Sequence, residues 1–229
     1  MRLNNSDLEF VKRKIPKKLV ALMEGPEWYD KIFIAGGLIR SSVTGEPISD
    51  IDVFITTDIK PIDIALLLEP NTEKHFVTDN AITITSFKPS LQIINRWSFK
   101  NPGEVVKSFD FTIACAAIFV KDSGDWDSII DDSFYEDLAA RRLVYRYPIR
   151  NEDAGGSILR VLKFYQRGYR IPLDSLAGVI ARLIKDFDVK KIPLSDEKSV
   201  AHVLTGLLIE VDPNAIIDES ITMEDHNVQ

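Results

Sequence analysis

Apolar residues at Leu8, Val11, Ile15, Leu19 and Leu22 recur three and four positions apart, the spacing of one helix face. With Ser6 as a plausible N-cap, this predicts an amphipathic helix from Ser6 to Met23. After the Gly25-Pro26 break, Lys31 to Ala35 is an apolar run of strand length, Gly36-Gly37 marks a turn into a short helix, and Asp50 to Thr57 reads as a second strand. Ile62 to Leu68 follows Pro61 and reads as a helix. Ala81 to Phe87 and Leu91 to Trp97 alternate on either side of Lys88-Pro89-Ser90, which predicts a hairpin. A short helix over Pro102 to Phe109 and a long strand over Asp110 to Val120 complete an α+β unit, a mixed sheet with flanking helices ending near residue 125. The remainder, 126–211, turns helical, with candidates at Glu136 to Leu143, Glu152 to Gly168, Leu173 to Phe187 and Ser199 to Glu210. From 212 to 229 the chain is acidic with sparse apolar residues, and a loosely ordered tail is expected.

The 229 residues allow one or two domains, and 45% hydrophobic with 28% charged residues is ordinary for a globular protein. No apolar run reaches the roughly 18 residues of a membrane helix, and the first residues lack a signal-peptide core, so a cytoplasmic protein without a membrane partner is expected. Cys115 is the single cysteine and lies in an apolar run, which excludes an internal disulfide and suggests a buried thiol. His75, His202 and His226 show no ligand spacing.

Charge changes the picture more. The net charge is −7, but Ser199 to Gln229 holds six acids and no Lys or Arg, so the main body is close to neutral. Basic groups at Lys12, Arg13, Lys14, Lys17 and Lys18, and at Arg141, Arg142, Arg146 and Arg150, read as solvated helix surface or as binding patches.

The chemistry concentrates in residues 36–52. Asp50 and Asp52 are two positions apart on a strand and so face the same way, able to close on one cation. Magnesium takes one or two protein carboxylates and fills its remaining positions with water and phosphate, so the pair suits phosphoryl transfer. Gly36 and Gly37 let backbone amides and a helix N-terminus approach a triphosphate. Taken singly, an Asp-x-Asp is a turn with a solvated edge and a Gly-Gly only a turn.

Gly36, Gly37, Arg40, Gly45, Asp50 and Asp52 together fall at the spacings of the signature of the polymerase-beta-like nucleotidyltransferases. Within that superfamily the chain most resembles the branch holding bacterial poly(A) polymerases and class II CCA-adding tRNA nucleotidyltransferases. Ser41 departs from the usual Asp. Asp110, Phe111, Thr112 and Ile113 resemble a second segment, in which Ser108 and Phe109 replace two arginines that help recognise ribose and phosphates. Asp110 could add a third carboxylate beside the metals, on a strand neighbouring that of Asp50, or could be a helix-to-strand cap. Glu136-Asp137-Leu138 and Arg142-Leu143 look like the segment leading into the neck. Glu152-Asp153 and the run from Ile158 to Phe164 look like the base-reading helix, with Ser157 where the base-reading arginine stands. Arg160 matches a second arginine one turn on and could contact the nucleotide, or form a salt bridge.

The resemblance covers residues 31 to about 171 and implies the following. A catalytic domain over 1–125 and a neck-like region over 126–211 would transfer a nucleoside monophosphate from a nucleoside triphosphate such as ATP to an acceptor hydroxyl. Asp50 and Asp52 would hold two magnesium ions, with manganese as a substitute, and Asp110 would assist. Gly36, Gly37, Arg40, Asp153 and Arg160 would bind the nucleotide. The favoured acceptor is an RNA or tRNA 3′ end, although fewer than sixty residues remain for a tRNA-gripping body. A protein hydroxyl, as in toxin-type enzymes, or a non-catalytic nucleotide-sensing module are the alternatives. The oligomeric state is open.

Overall fold

The computed structural model describes residues 1–148, 155–185 and 195–211, with side chains as far as 206. They fall into two compact units, Met1–Ala140 and Arg141–Gln229.

The first unit is built on a seven-stranded sheet. Its strands are β1 (Ile32–Ala35), β2 (Asp50–Ile55), β3 (His75–Val77), β4 (Ala81–Ile84), β5 (Ser90–Ile94), β6 (Ala116–Val120) and β7 (Trp126–Ile130). They lie in the order β3-β4-β5-β2-β1-β6-β7. All pairs are antiparallel except β2 with β5, which run parallel; the long connection through α4 (Pro61–Leu68), β3 and β4 allows that crossover. The remaining helices of this unit are α1 (Asn5–Lys12), α2 (Lys17–Met23), α3 (Gly37–Thr44), α5 (Pro102–Lys107) and α6 (Phe134–Ala139). Every residue of β1 is buried, as expected for a central strand covered on both faces. One face carries Phe33, Phe54 and Phe119, packed with Val105 and Val106 of α5; the Phe33 and Phe119 rings meet edge to face at 6.3 Å.

Four differences from the expected elements have physical causes. The helix anticipated over Ser6 to Met23 is two helices, because Pro16, lacking an N–H, serves as the N-cap of α2. The apolar spacing persists across the break, with Val11, Ile15 and Leu19 all buried, and Asn4 rather than Ser6 caps α1 by accepting from the Asp7 N–H at 2.8 Å. The segment from Asp110 does not form one strand: Thr112–Ala114 is a 3-10 turn and only Ala116–Val120 joins the sheet. The sheet also runs past residue 125, so the first unit extends to Ala140. The added strand β7 hides in the sequence because polar Asp127 and Ser128 are buried in it. Asp127 pairs with Arg2 at 2.9 Å and Lys121 at 3.4 Å, and Ser128 Oγ accepts from Leu3 N. Finally, β3 is a three-residue edge strand whose Phe76 and Val77 are exposed, too short to give a pattern.

Tyr135 ties α6 to the N-terminal helix. Its hydroxyl donates to Asp7 Oδ2 at 2.7 Å and accepts from Asn4 N at 3.1 Å; burial, and then the Asp7 carboxylate, push the phenol up to about 12. Tyr135→Phe is expected to lower unfolding stability by about 1–2 kcal/mol, the worth of a hydrogen bond to a charged partner. A denaturant titration measures this, and an unchanged midpoint would mean that α1 is held by its apolar face alone.

In the second unit, α7 (Gly155–Gln166), α8 (Leu173–Lys185) and α9 (Glu197–Val211) form a helical region. Tyr169 is buried and meets Phe164 at 5.4 Å. Asp153 and the acidic tail from Asp212 lie outside the described residues. No helix among the described residues is long and apolar enough to cross a membrane.

Candidate active site

The two acids of β2 stand as the alternation requires. Ile51 and Val53 are fully buried on one face, while Asp50 and Asp52 are half-buried on the other. Ser90 and Gln92 of β5 lie opposite them in parallel register, and Thr83 of β4 lies opposite Gln92. The result is a polar strip in a mostly apolar sheet. The Asp50 carboxylate accepts from Ser49 Oγ at 2.9 Å and from Gln92 Nε2 at 3.2 Å, which fixes its orientation. The place of Gln92 between Leu91 and Ile93, both buried, is the signal in the sequence that this face is polar.

Gly36 and Gly37 join β1 to α3. Gly36 has φ 76 and ψ −118, a conformation essentially reserved for glycine, and it is the N-cap of the helix. A Cβ there would lie 3.1 Å from the Phe109 ring. Phe109 therefore roofs the glycine turn, and its ring also meets Phe54 edge to face at 5.9 Å. This accounts for one departure from the arginine pair: the position is filled by an apolar ring packed on the turn. Ser108 accounts for the other, being fully buried with its hydroxyl donating to Val105 O at 2.6 Å at the end of α5.

Arg40 points back along α3 toward the same turn, with Nη2 3.9 Å from where a Gly37 Cβ would stand. It is 8% exposed, and its Nε lies 3.7 Å from Glu46 Oε2. Its charge is thus beside the turn but shared with an acid that the sequence did not single out.

Asp110 is not brought into a cluster with the β2 acids. It is 2% exposed and precedes the 3-10 turn, and β1 lies between β2 and β6, so the expected neighbouring of its strand with that of Asp50 does not occur. Among the described residues no group of three or more His, Cys, Asp or Glu side chains could hold a metal. The turn after Asp110 is held instead by Thr112 Oγ1, which donates to Asp137 Oδ2 at 2.6 Å, both residues being fully buried. In the second unit Ser157 is 2% exposed, so its hydroxyl is packed inside rather than offered to a base. Arg160 is half-buried on α7, and its Nη2 is shielded from solvent.

A strand bearing two same-face acids, a glycine turn leading into a helix N-terminus, and this strand order define a nucleotidyltransferase fold, and solved structures agree. The Thermotoga maritima CCA-adding enzyme complexed with tRNA is 17% identical with a TM-score of 0.56, over 99% of this chain and 60% of that one. A CCA-adding enzyme with CTP is 18% identical with a TM-score of 0.58, over 83% of this chain and 48% of that one. A CCA-adding enzyme with ATP is 17% identical with a TM-score of 0.55, over 96% and 59%. The chain thus spans about half to three-fifths of the length of those enzymes, and at such identities the likeness is one of fold. No curated protein matches the sequence. The chain belongs to the Gabija anti-defense 2 family, whose pattern matches residues 7–141.

Proposed function

We propose that this protein is a metal-dependent nucleotidyltransferase that moves a nucleoside monophosphate from a nucleoside triphosphate to an acceptor hydroxyl, in the service of countering Gabija defence. The observation that carries the reading is the pair Asp50 and Asp52, half-exposed on one face of β2, in the same unit as the Gly36–Gly37 turn into α3. Two carboxylates on a rigid strand suit magnesium or manganese, which need few protein ligands when phosphate oxygens complete the shell. When bound there, the metal supplies Lewis-acid stabilisation of charge on the phosphates and lowers the pKa of the acceptor hydroxyl.

The chain's own residues do the rest. Amides at the Gly36–Gly37 turn and the N-terminus of α3 face an anion favourably and would seat the triphosphate. Arg40 adds positive charge beside that turn. The Gln92 and Ser49 hydrogen bonds hold Asp50 in one orientation, so little reorganisation is needed on binding. In the transfer the acceptor oxygen bonds to the α-phosphorus, the bond from that phosphorus to the bridging oxygen breaks, pyrophosphate leaves, and the hydroxyl proton passes to solvent.

The acceptor placed first is the 3′ end of an RNA, supported by the tRNA-bound fold neighbour. The family description favours a second reading, a hydroxyl on a protein of the Gabija system. Incubation with each α-labelled nucleoside triphosphate, magnesium or manganese, total RNA and Gabija proteins distinguishes them: label on RNA supports the first and label on protein the second. A folded protein that labels neither would overturn the enzymatic reading.

Buried Ser157 cannot offer the two-pronged donor of an arginine, so base choice should not follow the templated C, C, A order. A truncated tRNA given CTP and ATP tests this. Ordered completion of CCA would show that another residue reads the base.

A further inference from the structure

The described residues between 141 and 185 hold nine Lys or Arg against a single acid, Asp174. Four of the arginines come together at one turn. The chain leaving α7 pairs with the segment at Arg142: Arg170 N donates to Arg141 O at 2.8 Å, and Leu143 N to Arg170 O at 2.8 Å. This bridge sets Arg141 and Arg142 beside Arg167 and Arg170. Arg141 is fixed there, its Nη1 donating to Arg167 O at 2.7 Å and its guanidinium stacked over Tyr169 at 5.6 Å. Arg167 and Arg170 are exposed, and so is Tyr165, at 69%, one residue short of the end of α7.

We infer that this turn is a docking surface for a single-stranded polynucleotide, with the arginines on successive phosphates and Tyr165 as a stacking platform for a base. Arg167 and Arg170 present exposed positive charge that a run of phosphates complements. A large aromatic ring left in water on the last turn of α7, two residues before exposed Arg167, supplies with it the two elements that single-strand binding uses, because every base offers a face to stack on. An acidic protein surface would match the charge but does not carry a planar group with each of its charges, as a chain of nucleotides does. The inference deepens the RNA half of the proposed function and does not depend on catalysis.

Binding of a labelled uridine 20-mer to the full chain, measured without nucleoside triphosphate so that a catalytic failure leaves it untouched, tests the surface. The wild type should bind with affinity falling steeply with salt, and should prefer the single strand to a duplex. Arg167→Gln with Arg170→Gln should weaken binding roughly tenfold and reduce the log–log salt slope by about 1.4, the loss of two single-strand phosphate contacts. The charge-keeping pair Arg167→Lys and Arg170→Lys should retain most of the slope, which guards against a folding defect in the glutamine variant. Tyr165→Ala should weaken binding by roughly tenfold, and Tyr165→Phe should not. Unchanged binding in a folded double glutamine variant, equal affinity for duplex, or equally good competition by a poly-glutamate peptide would each overturn the inference.

Discussion

Asp52→Asn is expected to lower nucleotidyl transfer by roughly three orders of magnitude or more, since ion stabilisation of phosphoryl charge is worth several kcal/mol. The same variant should fold as well as the wild type, or slightly better. Asp50 and Asp52 face the same way, and like charges on one strand face repel when no cation lies between them. Asp50→Asn should lose transfer similarly, and it also perturbs the two hydrogen bonds that the Asp50 carboxylate accepts. Label transfer and a thermal melt, run on the same preparations, separate chemistry from folding. Near-wild-type transfer in either variant would refute the assignment of the metal-binding acids.

Gly36→Ala should be the most damaging single methyl in the first unit. It places an L residue at φ 76, ψ −118 and drives its Cβ to 3.1 Å from the Phe109 ring, so strain and overpacking act together, roughly 2–5 kcal/mol in all. Gly45→Ala is the control. That residue also has positive φ, at 72, but sits in the left-handed helical region with nothing within 4 Å of an added Cβ, and about 1–2 kcal/mol is expected. Denaturant unfolding of the two variants should rank them in this order, with nucleotide affinity lost in the first and largely kept in the second. Equal costs would mean that Phe109 yields freely and does not define the turn.

The site's acids and its turn were legible because they are local. Two-residue alternation aligns Asp50 with Asp52, and adjacent glycines after an apolar strand announce a tight turn. Phe109 was not legible as the roof of Gly36, since that contact joins residues far apart in sequence and an aromatic next to an apolar run reads simply as core. Glu46 and Gln92 escaped for the same reason: each matters through what lies across a loop or across the sheet. Asp110 misled because Phe111 to Val120 is apolar enough for a strand, whereas tertiary packing against α6 winds its first part into a 3-10 turn fastened by Asp137. Polar residues at Asp127 and Ser128 concealed β7, because burial there depends on cations and amides supplied from elsewhere.

The parallel pairing of β2 with β5 makes the site a product of chain closure. Asp50 and its Gln92 donor are 42 residues apart, and bringing such ends together costs on the order of 3 kcal/mol in loop entropy before any contact repays it. The β4–β5 and β1–β2 pairs join strands closer in sequence, but neither alone presents an oriented acid pair. A peptide spanning Gly36 to Asp52 would contain the whole signature and still lack the strand that orients Asp50. On the proposed reading, competence to bind metal should therefore arrive late in folding, with the closing of the sheet, and vanish with the first opening that separates these two strands.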